Sequence, residues 1–331
     1  MNKSAKKDMV PRLRGADFSY RYFHQCFIIA LTVLAIVVMS IVSESFRTIY
    51  NYGNLINSAY ALMMVAFGQF LVILTGGIDI STGMIVSLAN CLSAYIMTMI
   101  PTGAGAVLAV IATLAAGGLC GMLNGVFVAR FRLPAIIVTI ATSAIFKGIS
   151  LILMPAPGGN VHSGFKKIFN WKAGNVVPLS FFLAAIFIVL LVFLTNKTSF
   201  GKCLRAIGGN ESAAFGTGVN VAKVKFLTYT LCGILSAFGG LYMTARTSCG
   251  DANIGNNYTV YSISATVVGG TLMTGAVGEA YGTACGAIII YLINSILNML
   301  SVSTYYQYAC QGAVLIFALM VGSYETRRRQ R

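Results

Sequence analysis

Apolar runs separated by short polar or glycine-rich stretches recur along the chain from 24 to 322. A helix rising about 1.5 Å per residue needs roughly 20 residues to cross a hydrocarbon core. On that measure the pattern predicts ten spans. They lie near 24–43, 55–74, 84–100, 106–129, 135–154, 179–195, 226–245, 258–270, 279–300 and 305–322. Pro101 and Gly105 bracket a tight turn, and Pro134 suits the first position of the helix that follows it.

Two interruptions are richer in glycine than a connecting turn needs. The first holds Thr75, Gly76, Gly77, Asp79, Ser81 and Gly83, the second Gly269, Gly270, Thr271, Gly275 and Gly278. Each has a glycine pair after an apolar run and resumes into a long apolar segment. Adjacent glycines release the backbone from helical geometry. Asp79 is the only acid between Glu44 and Glu211, and Asp79 or Ser81 suits an N-cap for the next helix. One reading is a pair of polar turns. The other is a pair of broken helices whose irregular backbone is buried in protein or faces a water-filled cavity, as on a transport pathway.

Composition settles the class. The chain is 57% hydrophobic and 9% charged, against about 25% charged in an ordinary soluble domain, so it is expected to be an all-α polytopic membrane protein. Its 35 glycines suit close helix–helix approach. The net charge of +15 could suggest nucleic acid, but the positive residues flank the apolar spans. With both termini on one side, 17 Lys and Arg fall on that side and 5 on the other, with Lys147 inside a span. That bias places the termini in the cytoplasm and excludes a nucleic-acid role. Lys147 either snorkels or faces protein. The expected layout is a basic cytoplasmic head (1–23), a transmembrane region (24–322) and a basic cytoplasmic tail (323–331). Loop 196–225 is then cytoplasmic and loop 155–178 lies outside. The runs 55–74 and 258–270 point the same way, which suggests a parallel repeat rather than an inverted one.

Candidate chemistry is sparse. The eight cysteines contain no Cys-x-x-Cys pair, only Cys249 reads as aqueous, and His24 and His162 are far apart, so no disulfide framework or metal site is expected. The apolar run from 24 is too long for a signal-peptide core and lacks a clear cleavage site, so it reads as an uncleaved span. No phosphate-binding Gly-x-x-x-x-Gly-Lys-Ser/Thr loop occurs, no catalytic set is apparent and no cofactor is expected. In loop 196–225, Asn210 after Gly208 and Gly209 suits an N-cap, and Glu211 suits a first helical turn. Ala213 and Ala214 continue that turn until Gly216 and Gly218 stop it. So short a helix is marginal without a partner; the alternative is a basic loop that only sets topology.

Three motifs together resemble the permease subunit of bacterial monosaccharide ABC importers, the ribose, xylose, arabinose and galactoside branch. They are Thr75-Gly-Gly-Ile-Asp-Ile-Ser-Thr-Gly83; Gly208-Gly-Asn210 with Ala213, Ala214 and Gly218; and Gly269-Gly-Thr271 with Gly275, Gly278, Gly282 and Thr283. The resemblance covers nearly the whole chain. It implies alternating access in the inner membrane, a second permease chain, cytosolic ATPase subunits seated on Gly208, Gly209, Asn210, Glu211, Ala213, Ala214 and Gly218, and a periplasmic sugar-binding protein. Tyr258-Thr-Val-Tyr261, Ala276 and Thr217 depart from the pattern, which would suit one half of a heterodimeric permease.

If so, the binding protein is expected on loops 155–178 and 246–257, with Lys166, Lys167 and Lys172 as contacts; plain solvated loop charge is the alternative for these lysines. Gln69, Thr75, Asp79, Asn90 and Thr271 are the candidates to touch a polyol, though each equally suits a cap or an interhelical hydrogen bond. Related alternatives are a branched-chain amino acid or nucleoside permease. A remoter one is an ion-coupled transporter using Asp79 and Glu279.

Overall fold

The computed structural model describes residues 44–174 and 176–303 throughout, with 29, 30, 32–34, 36–41, 305–307, 309, 310, 312, 313, 316 and 320. The basic head, the tail and half of the tenth expected span lie outside the described residues. The protein is an all-α polytopic membrane protein. Its helices are α1 (Ile49–Leu74), α2 (Thr82–Met99), α3 (Gly103–Gly125), α4 (Ala135–Leu153), α5 (Ser163–Phe169), α6 (Leu179–Lys197), α7 (Ser199–Gly209), α8 (Glu211–Gly216), α9 (Val221–Thr247), α10 (Tyr258–Val268) and α11 (Ala280–Met299). A π-helical turn, Val126–Arg130, extends α3. Seven helices are long and apolar enough to cross a membrane, and Thr32–Ile41 is a shorter apolar helix.

At the centre α1 packs against α9, α10 and α11, and α9 also packs against α2 and α3. Tyr60, Phe67, Phe70, Leu71 and Leu74 of α1 are fully buried. Asn57 accepts hydrogen bonds from Ser180 Oγ (2.6 Å) and Tyr242 OH (2.8 Å), tying α1 to α6 and α9. Small residues set the α3–α9 spacing: a Cβ on Gly233 would lie 2.1 Å from Gly117 O, and one on Gly121 would lie 2.2 Å from Tyr229 O. By contrast α4 and α6 sit at the rim, with Ile137, Ile140, Ile152, Val189 and Phe193 exposed, as residues facing lipid or a further chain are.

Side-chain caps turn the expected loop 196–225 into helices. Thr198 accepts from Gly201 N at the start of α7, Asn210 from Ala213 N at α8, and Asn220 from Lys223 N at α9. Loop 155–178 likewise holds α5 and a hairpin of two-residue strands, Lys172–Ala173 and Val177–Pro178.

Two expectations need correction. Gly83 is not a break residue: it lies inside α2, where a Cβ would fall 2.3 Å from Gly255 O. Nor does the stretch 258–270 form a span, because α10 has 11 residues. What precedes α10 is not a surface loop throughout. Ser248, at φ 58°, closes α9, and Gly158 and Gly250 exchange two backbone bonds just beyond it. The chain then runs down α2: Asn90 Oδ1 accepts from Asp251 N (2.6 Å), and Ser87 Oγ accepts from Gly255 N (3.0 Å). Ser87 is twelve residues before Met99, so Gly255 lies about 18 Å along α2 from its C-terminal end. The segment 248–257 is thus an unwound stretch laid along α2 that continues into α10.

Candidate functional site

The two glycine breaks meet. Ala276 N donates to Leu74 O at 3.0 Å, and a Cβ on Gly275 (φ 91°) would lie 2.9 Å from Gly76 N. Gly208, at the end of α7, is wedged against both. A Cβ there would lie 2.0 Å from Leu74 O and 2.5 Å from Ala276 N, so no other residue fits without moving backbone. Gly209 is less crowded, with Ala276 Cβ at 3.9 Å from an added Cβ.

A polar clamp reinforces this junction. Arg205 donates to Ala276 O (3.2 Å), Asn196 Oδ1 (2.8 Å) and Glu279 Oε1 (3.3 Å). Asn196 Nδ2 donates to Glu279 Oε2 at 2.9 Å, which closes the ring. The Glu279 side chain is 6% exposed and that of Arg205 22%, so each charge depends on the other. Thus α6, α7 and the second break are bonded as a unit. Sequence reasoning did not find this ring: Arg205 and Glu279 are 74 residues apart, and no local spacing joins them.

Beyond the junction, α8 projects from α7. Asn210 caps it, Ala214 is buried, and Gly218 (φ 87°) ends it with nothing near. Glu211 pairs with Lys225 at 2.6 Å. Phe215 stands 67% exposed, an aromatic side chain held out on a short helix.

The first break is a knot of buried polar groups. Asp79 Oδ1 accepts from Ser81 N (2.9 Å) and Ser81 Oγ (2.6 Å). Asn124 donates to Ser81 Oγ and accepts from Thr142 Oγ1, which extends the chain across α3 to α4. With its amide turned to suit its neighbours, Gln69 bonds both the N–H and the C=O of Asp79. Neither Asp79 nor Ser81 caps α2 with its side chain. Thr259 of α10 supplies that cap, accepting from Gly83 N (3.1 Å) while donating to Ile80 O (3.0 Å). Asp79 instead holds the amide of Ser81, one residue ahead of the helix.

The five candidate polyol contacts are all buried, none above 6% exposed. Gln69 and Asp79 serve the knot, and Thr75 Oγ1 bonds Val72 O in its own helix. Asn90 lies apart from them, bonding Thr244 Oγ1, Cys249 O and Asp251 N. Thr271 Oγ1 has no hydrogen-bond partner among the described residues. Lys167 is exposed on α5, whereas Lys166 and Lys172 are half-buried. Lys147 faces protein rather than snorkelling, donating to Ala252 O and to the side chains of Asn253 and Asn256. No group of metal-binding side chains occurs among the described residues.

Residues 51–319 match the family described as the permease component of branched-chain amino acid transport systems. The chain belongs to that permease family. It is 34% identical over 313 residues to the ribose import permease RbsC of Escherichia coli K12, covering 91% of this chain and 96% of the relative. The galactose/methyl galactoside import permease MglC of Salmonella typhimurium is 32% identical over 92% of this chain and 95% of its own. The D-allose transport permease AlsC of E. coli K12 is 32% identical over 87% and 88%. No solved structure matches the permease.

Proposed function

We propose that this permease is the membrane-spanning subunit of an ATP-driven importer that carries a monosaccharide inward across the bacterial inner membrane. The observation that carries the substrate class is likeness along almost the whole chain to permeases named for ribose, galactose and allose. The residues support a mechanism. ATP closes a pair of cytosolic ATPase subunits on α8 and the turn before it, where Gly209, Asn210, Glu211, Ala213 and Gly218 are the expected contacts and Phe215 an aromatic anchor, whereas Gly208 and the buried Ala214 are taken up inside the protein. Because α7 is packed against both breaks at Gly208 and bonded to the second through the Arg205–Glu279 clamp, with Ala276 N in turn bonded to Leu74 O, motion of α8 moves both together. Two discrete arrangements of that junction would bias the bundle between outward and inward states.

In this reading both termini are cytoplasmic, and a periplasmic sugar-binding protein docks on the outer loops with Lys166, Lys167 and Lys172 facing its acidic rim. The breaks at Gly76, Gly77, Gly269, Gly270, Gly275 and Gly278 act as joints. Gln69, Asp79 and Asn90 hold distant segments together rather than contact the sugar, and Thr75 and Thr271 are buried beside the breaks. Hydrolysis of ATP belongs to the partner subunits, and the second permease chain is either identical or related.

The test is affinity isolation of the tagged chain from native membranes, with mass spectrometry of what accompanies it, followed by ATP-driven uptake in proteoliposomes. Co-isolation of an ATPase and uptake of ribose, galactose or allose are expected. A chain isolated alone whose uptake follows an ion gradient would overturn the proposal. The family description favours a second reading, a branched-chain amino acid cargo. Uptake of leucine in place of any sugar would select it.

A further inference from the structure

The unwound segment 248–257 presents polar groups where a single chain should present none. Lys147 is six residues before the outer end of α4 at Leu153, so its Cα lies about 9 Å inside that end. Its ammonium has three donors, and all are used: Ala252 O at 2.7 Å, Asn253 Oδ1 at 2.7 Å and Asn256 Oδ1 at 3.1 Å. Lys147 therefore pins the segment to α4 and fixes how both amides are turned. With their carbonyl oxygens held by the ammonium, the two NH2 groups point away from it. Both asparagines are exposed, and neither NH2 has a hydrogen-bond partner among the described residues.

Irregular backbone and free amide donors at this depth are not tolerated against lipid; they face protein or water. The face offers no free charged donor, because three neutral oxygens take up the ammonium's protons, and Asp251 in the same segment carries the opposite charge, so the face is neutral in sum. Asp251 turns one carboxylate oxygen inward to the amide of Asn253 (2.8 Å). Free NH2 groups suit hydroxyl oxygens, and a neutral face that binds weakly at several points suits a solute that must also leave. The buried candidates at the first break offer no such donors.

We propose that Lys147, Asn253 and Asn256 form the outer half of the sugar path, on the face turned to the second permease chain. There the two asparagine NH2 groups donate to hydroxyls of a neutral polyol. This rests on the importer reading above. Lys147 is the positioning residue, and the asparagines are the contacts.

The assembled complex in proteoliposomes tests it. Asn253→Cys and Asn256→Cys are placed in a Cys249→Ser chain, so that no half-buried thiol lies beside them, and exposed to a membrane-impermeant thiosulfonate from the outer side. Labelling is read with and without a non-hydrolysable ATP analogue, and uptake of ribose, galactose or allose is measured, whichever the wild-type complex carries. Expected are labelling in one nucleotide state and protection in the other, with uptake blocked once the thiol is modified. The Asn253→Ala/Asn256→Ala pair should lower uptake several-fold while leaving ATPase content and ATPase rate unchanged.

Two cysteines unreactive in every state, beside a reactive Lys167→Cys control on α5, would mean a dry interface and overturn the proposal. Full uptake by the alanine pair would overturn it as well. Should Asn256→Cys fail to assemble, Asn253→Cys reports on the same face. If the wild-type chain itself binds no ATPase, the importer reading has failed instead, so the two failures are distinguishable.

Discussion

The two breaks and the unwound segment 248–257 both combine glycine with short polar side chains, Thr, Ser and Asp at the breaks and Ser, Asp and Asn in the segment, and use them in opposite ways. At the breaks nearly every polar group is spent inside the protein: Asp79 on Ser81, Gln69 on Asp79, Leu74 O on Ala276 N. In the segment, Lys147 takes up the carbonyl oxygens and leaves donors exposed. A polar network spent mostly inside the protein fixes geometry, which is what a joint requires; the buried Asp79 Oδ2 and Thr271 Oγ1 have no partner among the described residues, but neither is exposed to a solute. A network satisfied on one side only is ready for a solute. Polarity inside a membrane protein therefore does not by itself mark a pathway, and which atoms stay free is the better guide.

The strongest way to break the comparison is at the joint. Gly208→Val would drive a side chain into Leu74 O and Ala276 N, and transport and folded yield should both be lost. Gly216→Ala on the same loop, with nothing within 4 Å, should leave both unchanged. Equal effects from the two would refute the wedge.

Next comes the clamp. Glu279→Gln removes the Arg205–Glu279 ion pair from a largely buried site, at a cost of about 3 kcal/mol. Thermal unfolding in detergent should show the loss. Proteoliposomes should show more ATP hydrolysed per sugar carried. If both stay at wild-type values, Arg205–Glu279 is not a link in coupling.

A smaller effect is expected at Thr259, whose hydroxyl serves both Gly83 N and Ile80 O. Thr259→Val should destabilise by about 1–2 kcal/mol, read as a lower midpoint with uptake per folded molecule unchanged. Asp79→Asn keeps the Oδ1 acceptor that Ser81 uses, so folded yield should fall modestly while transport persists. A transport loss with normal yield would make Asp79 functional rather than structural.

The smallest effect belongs to Lys167→Glu on exposed α5. It should slow association with the binding protein at low ionic strength and vanish at high salt, because exposed charges are screened. Surface plasmon resonance across a salt series measures it.

The sequence by itself determined the class, most span limits and the family. Apolar runs of spanning length and 9% charge leave no other solvent for these helices than lipid. The span expected at 135–154 appears as Ala135–Leu153 because Pro134 starts it and Pro155 soon follows. The cap at Asn210 was legible for a similar reason: it acts within one turn of its own chain. Only the tertiary structure decided the rest. That both breaks close on Gly208, that Arg205 finds Glu279, and that Thr259 caps α2 in place of Asp79 are contacts between distant segments. Residues 248–257 read as a surface loop because they are polar, and they are sunk because Asn90, Ser87 and Lys147 satisfy their backbone and side chains at depth. A polar residue's composition states that it needs a partner, and the fold alone says where the partner stands.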